Sequence, residues 1–120
     1  MAAVALLGCL LLVSTVTARS LYSADSLERW FRLEWDVRPG PAVTTLEGYV
    51  YNQTDMEAER MRVSIEHLDP SGQVVGETET WVLGNLPARN RSFFQARVPP
   101  AASYRVMVLS FNWLSKLSGN

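Results

Sequence analysis

Apolar and polar residues alternate with a period of two along most of the chain beyond residue 30. The alternation is clearest from Trp30 to Val37, where every second side chain from Phe31 onward is apolar and the intervening ones are charged. Side chains of a β-strand point alternately to opposite faces, so this pattern predicts a strand with one apolar face. Similar patterns predict five further strands, at residues 46–52, 60–68, 73–83, 92–98 and 104–113.

Turn residues separate the predicted strands. The sequence Asp69-Pro70-Ser71-Gly72 predicts a hairpin loop, because proline presets φ and glycine tolerates a positive φ. Gly48, inside the second strand, predicts a bulge or a close approach by another backbone. The last strand, 104–113, is apolar on both faces, which predicts a central position in its sheet.

The number and spacing of these elements indicate the fold class. Six or seven short strands with turn signals every 8–12 residues or so predict an all-β, immunoglobulin-like antiparallel β-sandwich of about seven strands. We place this sandwich domain at residues 30–114, after a short helix or linker at 19–29 and before a tail at 115–120.

An uncharged apolar leader precedes the predicted domain. Residues 1–18 carry no ionised side chain, and Val16 and Ala18 supply the small residues that signal peptidase requires beside its cleavage site. The apolar run is shorter than the roughly 20 residues that cross a bilayer. We interpret the leader as a signal peptide cleaved after Ala18. A retained N-terminal membrane anchor and a buried N-terminus are the alternatives.

Composition excludes several classes of function. The 120 residues carry 11 basic and 12 acidic side chains, a balance that argues against a nucleic-acid-binding protein. A single cysteine, Cys9, and a single histidine, His67, exclude a disulfide framework and any Cys/His metal cluster. We therefore expect neither a metal site nor a cofactor.

Few residues could carry catalysis. No nucleophile motif surrounds any serine, and we expect His67 to be a partly exposed side chain that hydrogen-bonds a loop carbonyl. Asp55, Glu57 and Glu59 form an acidic turn without the glycine and the spacing of an EF-hand calcium loop. We expect a protein that is not an enzyme, and a hydrolase using these groups is the alternative from another class.

Basic residues are concentrated in the C-terminal third. All twelve acidic side chains lie at or before Glu79, whereas residues 80–120 carry five basic ones. Cross-strand pairing of Glu77 and Glu79 with Arg97 or Arg105 would neutralise part of this charge. The alternative is a basic surface that binds an anionic envelope component or an acidic protein. The candidate binding residues of that surface are Arg89, Arg91 and Arg97.

Several strand and turn motifs resemble those of a known family. They are Leu46-x-Gly48-x-Val50-x-Asn52, Val63-x-Ile65-x-x-Leu68-Asp69-x-x-Gly72-x-Val74-Val75, Leu86-Pro87 and Phe93-Phe94. The segment that contains them, residues 46–111, resembles the FxLYD domain of exported bacterial proteins. The motif that names the family keeps only its aspartate and its apolar ends here, at residues 65–69. The resemblance implies an immunoglobulin-like sandwich outside the cytoplasm, with no established activity and no catalytic residues.

The leader, the sandwich pattern and the lack of a catalytic set together predict a non-catalytic interaction module. We expect it outside the cytoplasm, in the periplasm or secreted. Its partner would be a protein or an anionic envelope component, without nucleic acid and with membrane contact only through an uncleaved leader. The alternative is a membrane-anchored structural or assembly subunit that retains its N-terminal segment and faces the periplasm.

Overall fold

The computed structural model describes residues 22–114, so the predicted leader at 1–18 and tail at 115–120 lie outside the described residues. The described chain forms a short helix followed by six strands. In chain order these are α1 (Ala24–Trp30), β1 (Phe31–Arg38), β2 (Thr44–Asn52), β3 (Glu57–Leu68), β4 (Val74–Trp81), β5 (Arg91–Val98) and β6 (Ser103–Leu114).

The strands form two antiparallel three-stranded sheets, in the orders β1-β2-β5 and β4-β3-β6. Apolar side chains of both sheets, including Leu46, Val63, Ile65 and Phe94, are fully buried in one shared core. The all-β sandwich predicted from the sequence is therefore confirmed, and residues 22–114 supply six strands.

Alternation of burial along β2 explains how the first sheet is oriented. Every second residue from Thr44 to Asn52 is buried, whereas Tyr49 and Tyr51 point to the other face. Removing one apolar face from water stabilises the sandwich and fixes the register, because a slip of one residue would expose the whole buried set.

Gly48 is required by a close backbone contact. A Cβ atom placed on Gly48 would lie 1.9 Å from the carbonyl oxygen of Glu34 and 2.7 Å from the Cα atom of Trp35, both on β1. The predicted close approach of another backbone is confirmed, and only glycine fits there.

The predicted central position of the last strand is wrong. β6 lies at the edge of its sheet, and β3 lies between β4 and β6. The apolar residues on both faces of the β6 sequence pattern have another cause. The register of β3 and β6 shifts between Arg62 and Val63, which leaves Leu109 as an extra residue in β6. Because such a bulge changes the phase of the alternation, Val106 and Val108 before it and Phe111 after it all pack on the core.

The helix covers one end of the core. It begins later than the predicted segment, because the Ser23 side chain caps it by accepting a hydrogen bond from the N–H of Ser26. Leu27 and Trp30 pack on the core. The Trp30 ring lies 5.5 Å, between centroids, from the ring of Trp113 at the end of β6. Two tryptophans near element ends are thus used in packing.

Candidate binding surface

The outer face of the β1-β2-β5 sheet carries an ordered array of charged and aromatic side chains. The strand register arranges these side chains in four rows, each with one residue from β1, β2 and β5. The rows are Arg32-Tyr51-Arg91, Glu34-Tyr49-Phe93, Asp36-Glu47-Gln95 and Arg38-Thr45-Arg97. We call this array the outer-face array. Arginines occupy both of its ends, and carboxylates occupy its middle.

Arg91 is held in place by two tyrosines. Its guanidinium carbon lies 4.1 Å from the ring centroid of Tyr49, and its Nη1 donates a hydrogen bond to the Tyr51 hydroxyl at 3.1 Å. The contacts with Tyr51 first, then Tyr49 and the charge of Glu34, raise the pKa of Arg91 above its ordinary value. Stacking over an aromatic face restricts the guanidinium while leaving N–H groups at its rim, a geometry suited to carboxylate or phosphate oxygens.

Arg32 lies on the other side of Tyr51. Its guanidinium carbon is 3.9 Å from the Tyr51 ring centroid, and its Nη1 is hydrogen-bonded to the carboxylate of Glu34. Arg32 is therefore charge-compensated. Within residues 22–114, no carboxylate lies at ion-pair distance from Arg91. Of the two arginines that flank Tyr51, Arg91 is therefore the one whose charge is available to a partner.

The three arginines predicted as binding residues occupy different environments. Arg91 and Arg97 share the outer face of β5 but lie at opposite ends of the outer-face array. Arg89 lies in the loop before β5, where its Nε donates to Asp55 Oδ1 at 2.9 Å. That hydrogen bond, followed by the charge of Arg89, lowers the pKa of Asp55. The structure thus does not bring the three together, and Arg89 is already paired.

Arg97 is the corresponding arginine at the far end. It flanks Thr45, with Arg38 on the other side, and these residues with Gln95 line a depression of about 350 Å³. Arg38 donates to Glu47 at 2.8 Å. Within residues 22–114, no carboxylate lies at ion-pair distance from Arg97, so its charge is available to a partner. Unlike Arg91, it is not stacked on an aromatic ring of the described chain.

The predicted pairing of Glu77 and Glu79 with Arg97 or Arg105 is wrong. Arg105 pairs instead with Glu66, at 2.8 Å from its Nε to the carboxylate, and Glu79 lies 3.3 Å from Arg62. The reason is topological. Within its sheet β4 pairs with β3 alone, whereas Arg105 lies on β6 beyond β3 and β5 belongs to the opposite sheet.

His67 is buried rather than partly exposed, which corrects the expectation from the sequence. Only 6% of its surface is exposed, and its Nε2 lies 2.8 Å from the hydroxyl oxygen of Thr78 on the adjacent strand. The missing side chain of Gly76 leaves room for the ring, since a Cβ atom there would lie 2.7 Å from His67 Nδ1. His67 is a structural residue in this position.

Residues of the predicted acidic turn contact different partners. Asp55 contacts Arg89, and Glu57 accepts a hydrogen bond from the Asn85 side chain at 3.1 Å. Among residues 22–114, no group of three or more His, Cys, Asp or Glu side chains is placed to hold a metal ion.

Sequence reasoning missed one exposed tryptophan. Trp81, at the end of β4, is 54% exposed and lies under the guanidinium of Arg62 on the outer face of the opposite sheet. Leu83, two residues later, is also exposed. The sequence does not reveal the exposure of these two residues, because an apolar residue in an alternating pattern is assigned to the core.

Comparison of the chain with family models, curated proteins and solved structures gives no match. The similarity to FxLYD domains therefore stays a prediction from the sequence. α1 has seven residues, and within residues 22–114 no helix reaches the length and hydropathy of a membrane span.

Proposed function

We propose that this protein is a non-catalytic interaction module that acts outside the cytoplasm. It binds an anionic partner group through the outer-face array, at the Arg91 end. The observation that carries the proposal is the geometry of Arg91, stacked on Tyr49, hydrogen-bonded to Tyr51 and with no carboxylate at ion-pair distance in the described chain.

The physical case rests on order and charge. A flexible surface arginine loses side-chain entropy when it binds, whereas Arg91 is already restrained by two aromatic neighbours. Phe93 adds apolar area beside the charge, with its ring centroid 5.6 Å from that of Tyr49. A partner carboxylate or phosphate would meet the rim of the guanidinium, and its apolar part would meet Phe93. The extracytoplasmic location rests on the leader at residues 1–18.

The binding experiment compares two arginines that stack on aromatic rings of opposite sheets. Arg91→Gln removes the proposed contact, and Arg62→Gln is the matched control, because Arg62 lies 5.4 Å from the ring centroid of Trp81 on the other sheet. Tagged protein is incubated with the envelope fraction of its native cells, and captured material is quantified. We expect the wild-type chain to capture a partner. Arg91→Gln should lower the captured amount at least about tenfold, and Arg62→Gln should leave it unchanged.

Two results would count against this proposal. Recovery of no partner by the wild-type chain would reject an interaction module, and equal loss with both variants would reject the outer-face array as the binding surface. Added salt is a further check, because an exposed charged contact weakens as ionic strength rises.

The location is tested by the intact mass of the protein from its native cells. A mass that lacks residues 1–18 supports export and cleavage. A full-length mass favours the alternative of a membrane-anchored structural or assembly subunit, and recovery from the cytoplasm would reject both.

A further inference from the structure

Among residues 22–114, no segment covers one side of the sandwich. β1 and β6, the edge strands on that side, flank a groove of about 280 Å³. Its lining is mostly apolar, with Leu27, Phe31, Leu33, Val106 and Val108, and Glu28 and Arg105 also contribute to it. Within residues 22–114, no hydrogen bond joins the backbone of β1 to that of β6.

The opposite side is closed by the end of β4 and the segment that follows it. The N–H of Leu83 donates to the carbonyl oxygen of Phe93 at 2.9 Å, and the hydroxyl of Thr80 donates to the carbonyl oxygen of Gln95 at 3.0 Å. These bonds occupy part of the free edge of β5. The asymmetry leaves the β1–β6 side as the one where another strand can be added.

β6 is the edge strand with the fewest charged side chains. Exposed edges are normally guarded by charged side chains, proline or β-bulges. The bulge at Leu109 interrupts β6, and the part of the strand before it is regularly paired with β3. β6 has twelve residues and a single charged one, Arg105, whereas β1 has four charged residues in eight and β4 and β5 have two each in eight. Met107, in the middle of β6, is 37% exposed.

We propose that β6 pairs with β6 of a second copy of this chain, in a two-fold symmetric dimer that joins the two β4-β3-β6 sheets into one of six strands. A suitable partner strand needs a free edge, apolar inward side chains and no like charge opposite Arg105. Within residues 22–114, β6 itself meets all three conditions. In an antiparallel pair centred on Met107, Arg105 lies opposite Leu109 of the partner subunit, so the two arginines do not oppose each other.

This pairing also accounts for the open groove. Continuing the sheet places the inward valines of the second β6 beside Val106 and Val108, which extends the apolar layer across the open side. The two grooves then face each other, and their apolar linings leave water together. The dimer uses the opposite side of the molecule from β5 and leaves Arg91 exposed.

The experiment measures the mass of the purified protein in solution as a function of concentration, by sedimentation. We expect a reversible monomer–dimer equilibrium. Met107→Lys places two ammonium groups opposite each other at the symmetry axis and should weaken the dimer by about 100-fold. Val75→Lys is the matched control, since Val75 is 64% exposed on the other edge strand of the same sheet, and it should leave the equilibrium unchanged.

A second measurement does not depend on that variant. Met107→Cys should crosslink between copies with a short bis-maleimide reagent, whereas Val75→Cys should not, and backbone amides of residues 105–109 should gain protection from hydrogen exchange as concentration rises. A monomer at every concentration would overturn the proposal. So would a dimer insensitive to Met107→Lys, or a monomer whose β6 edge is already protected by the segment before residue 22 or by a foreign peptide.

Discussion

The side-chain amide of Asn52 donates a hydrogen bond to the backbone carbonyl oxygen of Leu86, 34 residues further along the chain, at 3.2 Å. The same nitrogen donates to the carbonyl oxygen of Met56 at 2.7 Å, and the side-chain oxygen accepts from the N–H and the hydroxyl of Thr54. Only 2% of Asn52 is exposed. One buried amide therefore ties the β2–β3 loop to the segment between β4 and β5.

Replacing Asn52 by alanine should destabilise the fold strongly. Asn52→Ala leaves the carbonyl oxygen of Leu86 without its side-chain donor, and we expect unfolding to become easier by about 2–4 kcal/mol. Urea unfolding followed by tryptophan fluorescence measures the change. Asn112→Ala, at an exposed position of β6, is the control and should stay within about 0.5 kcal/mol of the wild type. Equal effects of the two substitutions would contradict this role of Asn52.

Gly48→Ala should be among the most damaging single substitutions. The added methyl group would overlap the Glu34 carbonyl oxygen, which is backbone and cannot rotate away, so β1 and β2 must separate locally. We expect a loss of about 3 kcal/mol or more. Gly84→Ala is a useful comparison, because position 84 has open space but a φ of +68° and should lose about 1 kcal/mol. Thermal unfolding of both variants ranks them, and the reverse order would refute the steric argument.

The pocket around His67 should show strong coupling between two positions. Gly76→Ala pushes a methyl group towards the imidazole and should destabilise the folded state, whereas in a His67→Ala background the same methyl group has free space. We expect the double variant to be more stable than additivity predicts by about 1 kcal/mol. Unfolding of the four proteins in parallel measures this coupling, and strict additivity would show that the ring does not need the space at Gly76.

Acid should destabilise the hairpin loop between β3 and β4 through Asp69. Its Oδ1 accepts hydrogen bonds from the Ser71 hydroxyl at 2.7 Å and from the N–H of Gln73 at 2.9 Å, and these bonds, that of Ser71 first, lower its pKa. Because the folded-state pKa lies below the unfolded one, the unfolded chain binds more protons as pH falls between them. The stabilisation is present above the unfolded pKa and is lost as pH falls through the folded pKa.

Asp69→Asn keeps an acceptor oxygen but cannot titrate. Its free energy of unfolding should therefore fall less steeply than that of the wild type as pH is lowered from about 5 to 2. The measurement is urea unfolding at several pH values, with Asp36→Asn in exposed β1 as the control. A slope unchanged by Asp69→Asn would show that the loop hydrogen bonds do not couple to protonation.

The strands were largely predictable because apolar and polar residues alternate along most of them, as one face packs on the core and the other does not. The alternation in 46–52 placed Tyr49 and Tyr51 opposite the buried set, as the structure shows. The same reasoning failed for β6, where a bulge at Leu109 changes the phase, since a bulge is set by the partner strand and leaves no mark in the alternation. His67 was misjudged for a related reason. Its burial depends on the space at Gly76, nine residues away and on another strand.

In the candidate site, too, only part of the arrangement could be predicted from the sequence. The sequence placed Arg97 in a strand at 92–98 and left Arg91 in the loop before it, whereas in the structure both lie on the outer face of β5. Strand order decided which side chains surround them. Tyr51 lies between Arg32 and Arg91 only because β2 lies between β1 and β5. Likewise, Glu79 pairs with Arg62 and Arg105 with Glu66 because β3 is the central strand of its sheet.

The sequence alone determined the all-β class, the position of most strands and the faces that they bury, since these follow from a period of two and from local turn residues. Tertiary structure alone decided which edges stay open, which arginines are neutralised and where Asn52 and His67 find their partners. Contacts of that kind join residues far apart in the chain. Their formation depends on strand order and register, which many alternating sequences share and which the folded core selects.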